Sequence, residues 1–144
     1  MEWQQLLRSA KVRIVKAAQT AAASDIESDE VDMQGYDGVI FLTSIGTANS
    51  GNFIKVQQDT VTGMATAADL EGTKVLPTVN GQGVGVEIYK PLERFVRLYV
   101  VRGASSTCGE IWALQYRGRL SPPDNAEVGV MLSECHISPA EGTA

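Results

Sequence analysis

The single histidine, His136, follows Cys135 directly. A thiol and an imidazole within hydrogen-bond reach would make a nucleophile with its base. Adjacency works against that pairing, because consecutive residues of an extended chain point to opposite faces. A Ser–His–Asp arrangement would have to draw on the same imidazole. Zinc fails on ligand count, since Cys108, Cys135 and His136 contain no Cys-x-x-Cys pair. Two cysteines are also too few for a disulfide framework, and both are expected as reduced, partly buried thiols. Gly81-Gln82-Gly83-Val84-Gly85 is glycine-rich but precedes an alternating strand pattern, where a nucleotide loop would open a helix, and it reads as a turn. Carboxylate pairs for glycoside hydrolysis are positioned by the fold, and no pair is nominated here. These spacings nominate no catalytic residue, no metal site and no cofactor.

Two charged patterns and one aromatic set remain. Asp25, Glu27, Asp29, Glu30 and Asp32 form an acidic run that lacks the glycine and glutamate offsets of an EF-hand loop. The reading preferred over a calcium site is a solvated acidic loop, whose other use is to lie on a basic surface of a partner. Arg94, Arg97 and Arg102 are read as an outward row along one strand, which either guards that strand or anchors a protein interface. Tyr89, Phe95 and Tyr99 are the candidates for a sugar-binding platform, against the alternative of packing under loops or in a subunit contact.

The elements that must position these residues are short. Trp3, Leu6 and Leu7 fall on one face of a helical turn or two over residues 2–10, too short to stand alone. Together with the arginine row they are the partner-docking candidates, the alternative being that the helix packs on its own domain. Residues 11–17 alternate as a strand, with Val12 and Ile14 on one side and Lys11, Arg13 and Val15 on the other. The acidic region 17–32 reads as extended or loop. The continuous apolar run Val39–Ile45 predicts a strand covered on both faces, and Phe53–Gln58 predicts its antiparallel neighbour across a Gly/Asn/Ser loop.

Residues 67–73 predict a short helical turn closed by Gly72, and Lys74–Val79 a weak edge strand broken by Pro77. Val84, Val86 and Ile88 share one face of the next strand. Val96, Leu98 and Val100 point inward from the one after it. Trp112, Leu114 and Tyr116 share a face of another, which Pro122-Pro123 halts. Residues 126–134 are ambiguous between strand and helix, and the tail beyond Ser138 is expected to be loose.

Six to eight short strands with no long amphipathic helix predict an all-β chain: one antiparallel sandwich, jelly-roll-like or barrel domain over 11–138. A helical segment at 1–10 precedes it and a tail at 139–144 follows. The pattern excludes a doubly wound α/β fold. The chain has 144 residues, 44% of them hydrophobic and 20% charged, which suits one globular domain with a real core. Residues 1–72 hold ten acidic and five basic side chains, and the net charge is −5. With pI ≈ 4.8 and no basic cluster, nonspecific nucleic-acid binding is not expected. No apolar run nears the roughly 18 residues of a membrane span, and Arg8, Lys11, Arg13 and Lys16 interrupt any signal-peptide core. Synthesis and retention in the cytoplasm are expected, unless the chain leaves within a larger assembly.

Five phrases run in a distinctive order: VRIVKAAQTAAASDI (12–26), VDMQGYDGVIF (31–41), FIKVQQDT (53–60), AADLEGT (67–73) and VEIYKPLERFVRLYVVRG (86–103). In these the chain resembles the capsid cement, or decoration, proteins of tailed bacteriophages, over about residues 11–120. The resemblance implies a compact β domain, commonly trimeric, bound to the major capsid protein where capsomers meet on the outside of the expanded head. There it would stabilise the shell against internal DNA pressure, as a virion component without enzymatic activity. The readings set beside it are a low-copy head–tail connector or tail component, a carbohydrate-binding sandwich and a small β-sandwich hydrolase.

Overall fold

The structure is a computed structural model that describes residues 6–118, 125, 130–134, 136, 138 and 140–143. A helical turn, α1 (Leu6–Ser9), leads into β1 (Lys11–Lys16), followed by β2 (Gln19–Ala22), β3 (Ile26–Glu27) and β4 (Val31–Asp32). The longer strands are β5 (Gly38–Ile45), β6 (Asn52–Asp59), β8 (Gln82–Tyr89) and β9 (Phe95–Arg102). Between and after them come β7 (Ala68–Asp69), β10 (Ser106–Cys108) and β11 (Ile111–Tyr116). Trp3, residues 126–129 and parts of the tail lie outside the described residues, as does Cys135.

Among the described residues every strand pairing is antiparallel, and the strands divide into two curled sheets. The first runs β1-β11-β5-β10-β2, with β8 on the opposite side of β5. The second runs β3-β9-β6-β7, with β4 also on β9. The chain is therefore all-β with a short N-terminal helix, as its alternation predicts. Between the sheets lie Val15, Val39, Phe41, Ile45 and Ile111 from the first, and Ile26, Ile54, Val56, Val96, Leu98 and Val100 from the second. Burying each such side chain contributes about 1.5–3 kcal/mol before conformational entropy is set against it. Asp29 N–H donates to Val15 O at 2.8 Å and ties the two sheets together where β1 bulges.

Several expectations change in the folded chain. β5 and β6 are not a hairpin: β5 pairs with β8 and β11, while β6 crosses to the second sheet and pairs with β9 along its full length. The loop between them accordingly bridges layers, with Asn52 buried and its side chain holding Thr47 O and Ala104 N–H. Among the described residues β5 is covered on one face only, and Leu42 on the other face is 49% exposed. The region 17–32, expected as extended or loop, is in part extended and supplies β2, β3 and β4, short strands held by longer neighbours. Residues 67–73 contain β7 and a turn instead of a helical turn, although Gly72 does take a positive φ of 76°. Of the expected strand 74–79 only a single bridge, Val75 to Ile54, forms.

Candidate docking surface

The arginine row does not exist as a row. Arg102 shares the parity of Val96, Leu98 and Val100, so it points inward and is 4% exposed. Its guanidinium donates to Ser24 O, Thr20 O, Ser106 O and Ser24 Oγ, which joins β9 to the first sheet. Arg94 lies just before β9 and forms a two-pronged pair with Asp32, at 2.9 Å and 2.8 Å. Arg97 does face outward, where it donates to Gln57 Oε1 at 2.8 Å and Glu27 Oε2 at 3.2 Å. Gln57 and Lys55 in turn donate to Asp69. The outer face of the second sheet thus carries a ladder of matched polar groups running Glu27–Arg97–Gln57–Asp69–Lys55, with the Phe53–Val101 pair at one end.

The acidic run serves the same internal purpose. Asp25 accepts from Tyr99 Oη at 2.8 Å, and Glu30 accepts from Gly63 N–H at 2.8 Å. With Glu27 on Arg97 and Asp32 on Arg94, four of the five carboxylates hold the fold's own groups, so the segment is not a solvated loop. Arg94 holds the Asp32 carboxyl below the usual carboxylate range, and Lys55 does the same for Asp69. Asp25 raises the Tyr99 phenol above its ordinary value. Asp25, Glu27, Glu30 and Tyr99 border an open polar groove of about 580 Å³ with Lys16 and Arg102 on its walls. Among the described residues no group of three His, Cys, Asp or Glu side chains is placed to hold a metal ion.

The sugar-platform residues are scattered. Phe95 is buried, Tyr99 is held by Asp25 with Lys55 over its ring, and Tyr89 is 51% exposed on the first sheet. His136 is exposed beside Glu134, and Cys108 is buried against Thr43, where burial pushes its thiol up. In α1, Leu6 is exposed and Leu7 half-buried, while Ala10 just after the turn is fully buried. Asn125 pins this corner: its amide donates to Leu7 O and Ala10 O and accepts from Val12 N–H.

The outer face of the first sheet is of another kind. Ile111, Ala113 and Gln115 of β11 are buried between the layers, as are Val39 and Phe41 of β5 and Val84 of β8. The alternate residues must therefore face outward. In register they form one row of Val12, Leu114, Ile40 and Glu87, and a second of Ile14, Trp112, Leu42 and Gly85. A third row sets Tyr116 and Tyr89 on either side of Gly38, and the Tyr116 ring occupies the place of the missing side chain, 2.2 Å from an ideal Cβ. Leu42 likewise lies over Gly85, 2.7 Å from where a Cβ would stand. Ten of these eleven positions carry an apolar or aromatic side chain or a glycine packed beneath one, and Glu87 is the sole charge in the three rows.

Sequence reasoning missed this face, although its signal was present. The unbroken run Val39–Ile45 reads as a strand covered on both sides, and β11 likewise carries large residues on both of its faces. The alternation of β1 separates Val12 and Ile14 from Lys11, Arg13 and Val15, but it is the second set whose Val15 enters the core. No family model and no curated protein matches the chain.

Proposed function

We propose that this chain is a structural cement protein that binds the outside of a tailed-phage head through the apolar outer face of its first sheet. The observation that carries the reading is the contrast between the two outer faces. One carries a ladder of matched polar groups beside the Phe53–Val101 pair, and the other is a four-stranded apolar surface centred on Leu42 and Trp112. A strand sequence suited to burial on both sides, in a body that buries one, calls for a partner on the other. The resemblance of residues 11–120 to decoration proteins supplies the identity of that partner, the major capsid protein. Many copies on a repeating lattice turn a modest contact into a large collective one.

The test is the copy number of the protein in purified particles, by quantitative mass spectrometry against the major shell protein. A number comparable to the shell protein is expected. A ring's worth of copies would move the chain to a connector or tail, and absence from the particle would overturn the virion reading. A carbohydrate-binding role has one supporting observation, the exposed Tyr89 ring, and it requires glycan binding that Tyr89→Ala abolishes.

A further inference from the structure

Among the described residues, the β8 edge of the first sheet is the second feature without a partner. Ser44 O accepts from Gly109 N–H at 2.9 Å and Gly46 N–H donates to Thr107 O at 3.0 Å, so the even-numbered residues of β5 direct their backbone toward β10 and β11. On its other side Asp37 O accepts from Lys90 N–H at 2.7 Å, in register with the β5–β8 ladder. The even residues of β8 therefore bond to β5, and Gly83, Gly85, Glu87 and Tyr89 direct N–H and C=O away from the sheet. All four are exposed, and among the described residues no strand pairs with that side of β8. The opposite edge differs: there Asn125 closes off Val12 N–H. An eight-residue edge carrying a single charge is a template for another strand.

We propose that the strand taken up there is β8 of a second copy, paired antiparallel about a two-fold axis at Val86. The strand is complementary to itself in this register. Toward the core face, Val84 meets Ile88 of the second copy and Val86 meets Val86, so the half-buried Val86 and Ile88 are covered. On the outer face each glycine meets a large residue: Gly83 meets Tyr89, as Gly38 already lies beside Tyr116, and Gly85 meets Glu87. The two Glu87 carboxylates are not opposed, whereas an axis one residue further along, at Glu87, would set them face to face. Pairing makes one continuous sheet and joins the two apolar outer faces. The inference stands apart from the capsid reading and does not depend on it.

Sedimentation analysis of the full chain is expected to show a monomer–dimer equilibrium. Glu87→Pro removes an outward N–H at an edge where proline is tolerated, and it should raise the dissociation constant about tenfold or more with the circular dichroism unchanged. Val86→Cys places two thiols at a pair not bonded through the backbone, roughly 4.5 Å apart at Cα, and should cross-link on mild oxidation. Glu87→Cys and the wild type should not. A monomer at all accessible concentrations, or a dimer or trimer indifferent to Glu87→Pro in which Val86→Cys fails to cross-link, overturns the pairing. Either of those results leaves the copy number in particles, and with it the capsid reading, untouched.

Discussion

Arg102 grips Ser24 twice, with Nε donating to its carbonyl oxygen at 2.6 Å and Nη2 to its hydroxyl at 3.1 Å. The same guanidinium reaches Thr20 O and Ser106 O, both at 2.8 Å. One side chain from the second sheet thus satisfies backbone carbonyls of β2, of β10 and of the link between β2 and β3. Truncating it strands those acceptors in a buried site. Arg102→Ala is expected to cost about 2–4 kcal/mol in urea unfolding. Arg102→Lys should recover only part of this, because an ammonium cannot reproduce the planar fork.

Tyr116 and Gly38 are coupled through space. Gly38→Ala puts a methyl group where the ring rests, and it is expected to destabilise by about 1–3 kcal/mol in thermal unfolding. In a Tyr116→Ala background the same substitution should cost less than half as much. Equal costs in both backgrounds would show that the ring does not constrain that position.

Acid should weaken the fold through the carboxylates that bridge strands. Asp32 is held low by Arg94, and Asp69 by Lys55. At Asp59 burial raises the carboxyl, but the Val61 N–H and the Thr66 contacts outweigh it and leave it lowered. A carboxylate lowered in the folded state stabilises above its unfolded pKa of about 3.9, and that contribution is lost as pH falls through the lower folded value. Stability should accordingly be flat near neutrality and fall from about pH 4 downward. Asp32→Asn should shallow that fall in pH-dependent chemical denaturation, and an unchanged acid limb would remove Asp32 from the account.

Leu42 separates folding from docking. It is half exposed, so Leu42→Lys should alter stability by about 1 kcal/mol or less. Occupancy on purified shells should drop sharply, measured by sedimentation of the variant with shells lacking the protein. Wild-type occupancy would sink the assignment of this face. Leu98→Asp is the opposite control: that side chain is fully buried, and the variant should not fold.

The fold class was legible because β9 and β8 alternate cleanly and turn residues separate the runs. What was not legible was which runs share a sheet. The Gly46–Asn52 loop has hairpin chemistry, yet it carries the chain from one layer to the other, a choice made by packing across the core. Arg102 was misread because its charge was weighed above its parity, which places it with Val100. Arg94 and the acidic run were legible as charges but not as partners, since Asp32 and Arg94 lie 62 positions apart. The apolar outer face was half legible: β5 announced two buried sides, and only the folded chain shows which one the described residues leave uncovered.

The pairing of β1 with β11 sets a timetable for biosynthesis. Lys16 meets Ile111 in that ladder, so β1 leaves the ribosome about 95 residues before the strand it pairs with. At roughly 5–20 residues per second the delay is on the order of 5–20 s, during which Val12, Ile14 and Val15 have no sheet to join. A nascent chain stalled before Ile111 should therefore be a substrate for chaperones, and one released after Tyr116 should close its first sheet in a single late step.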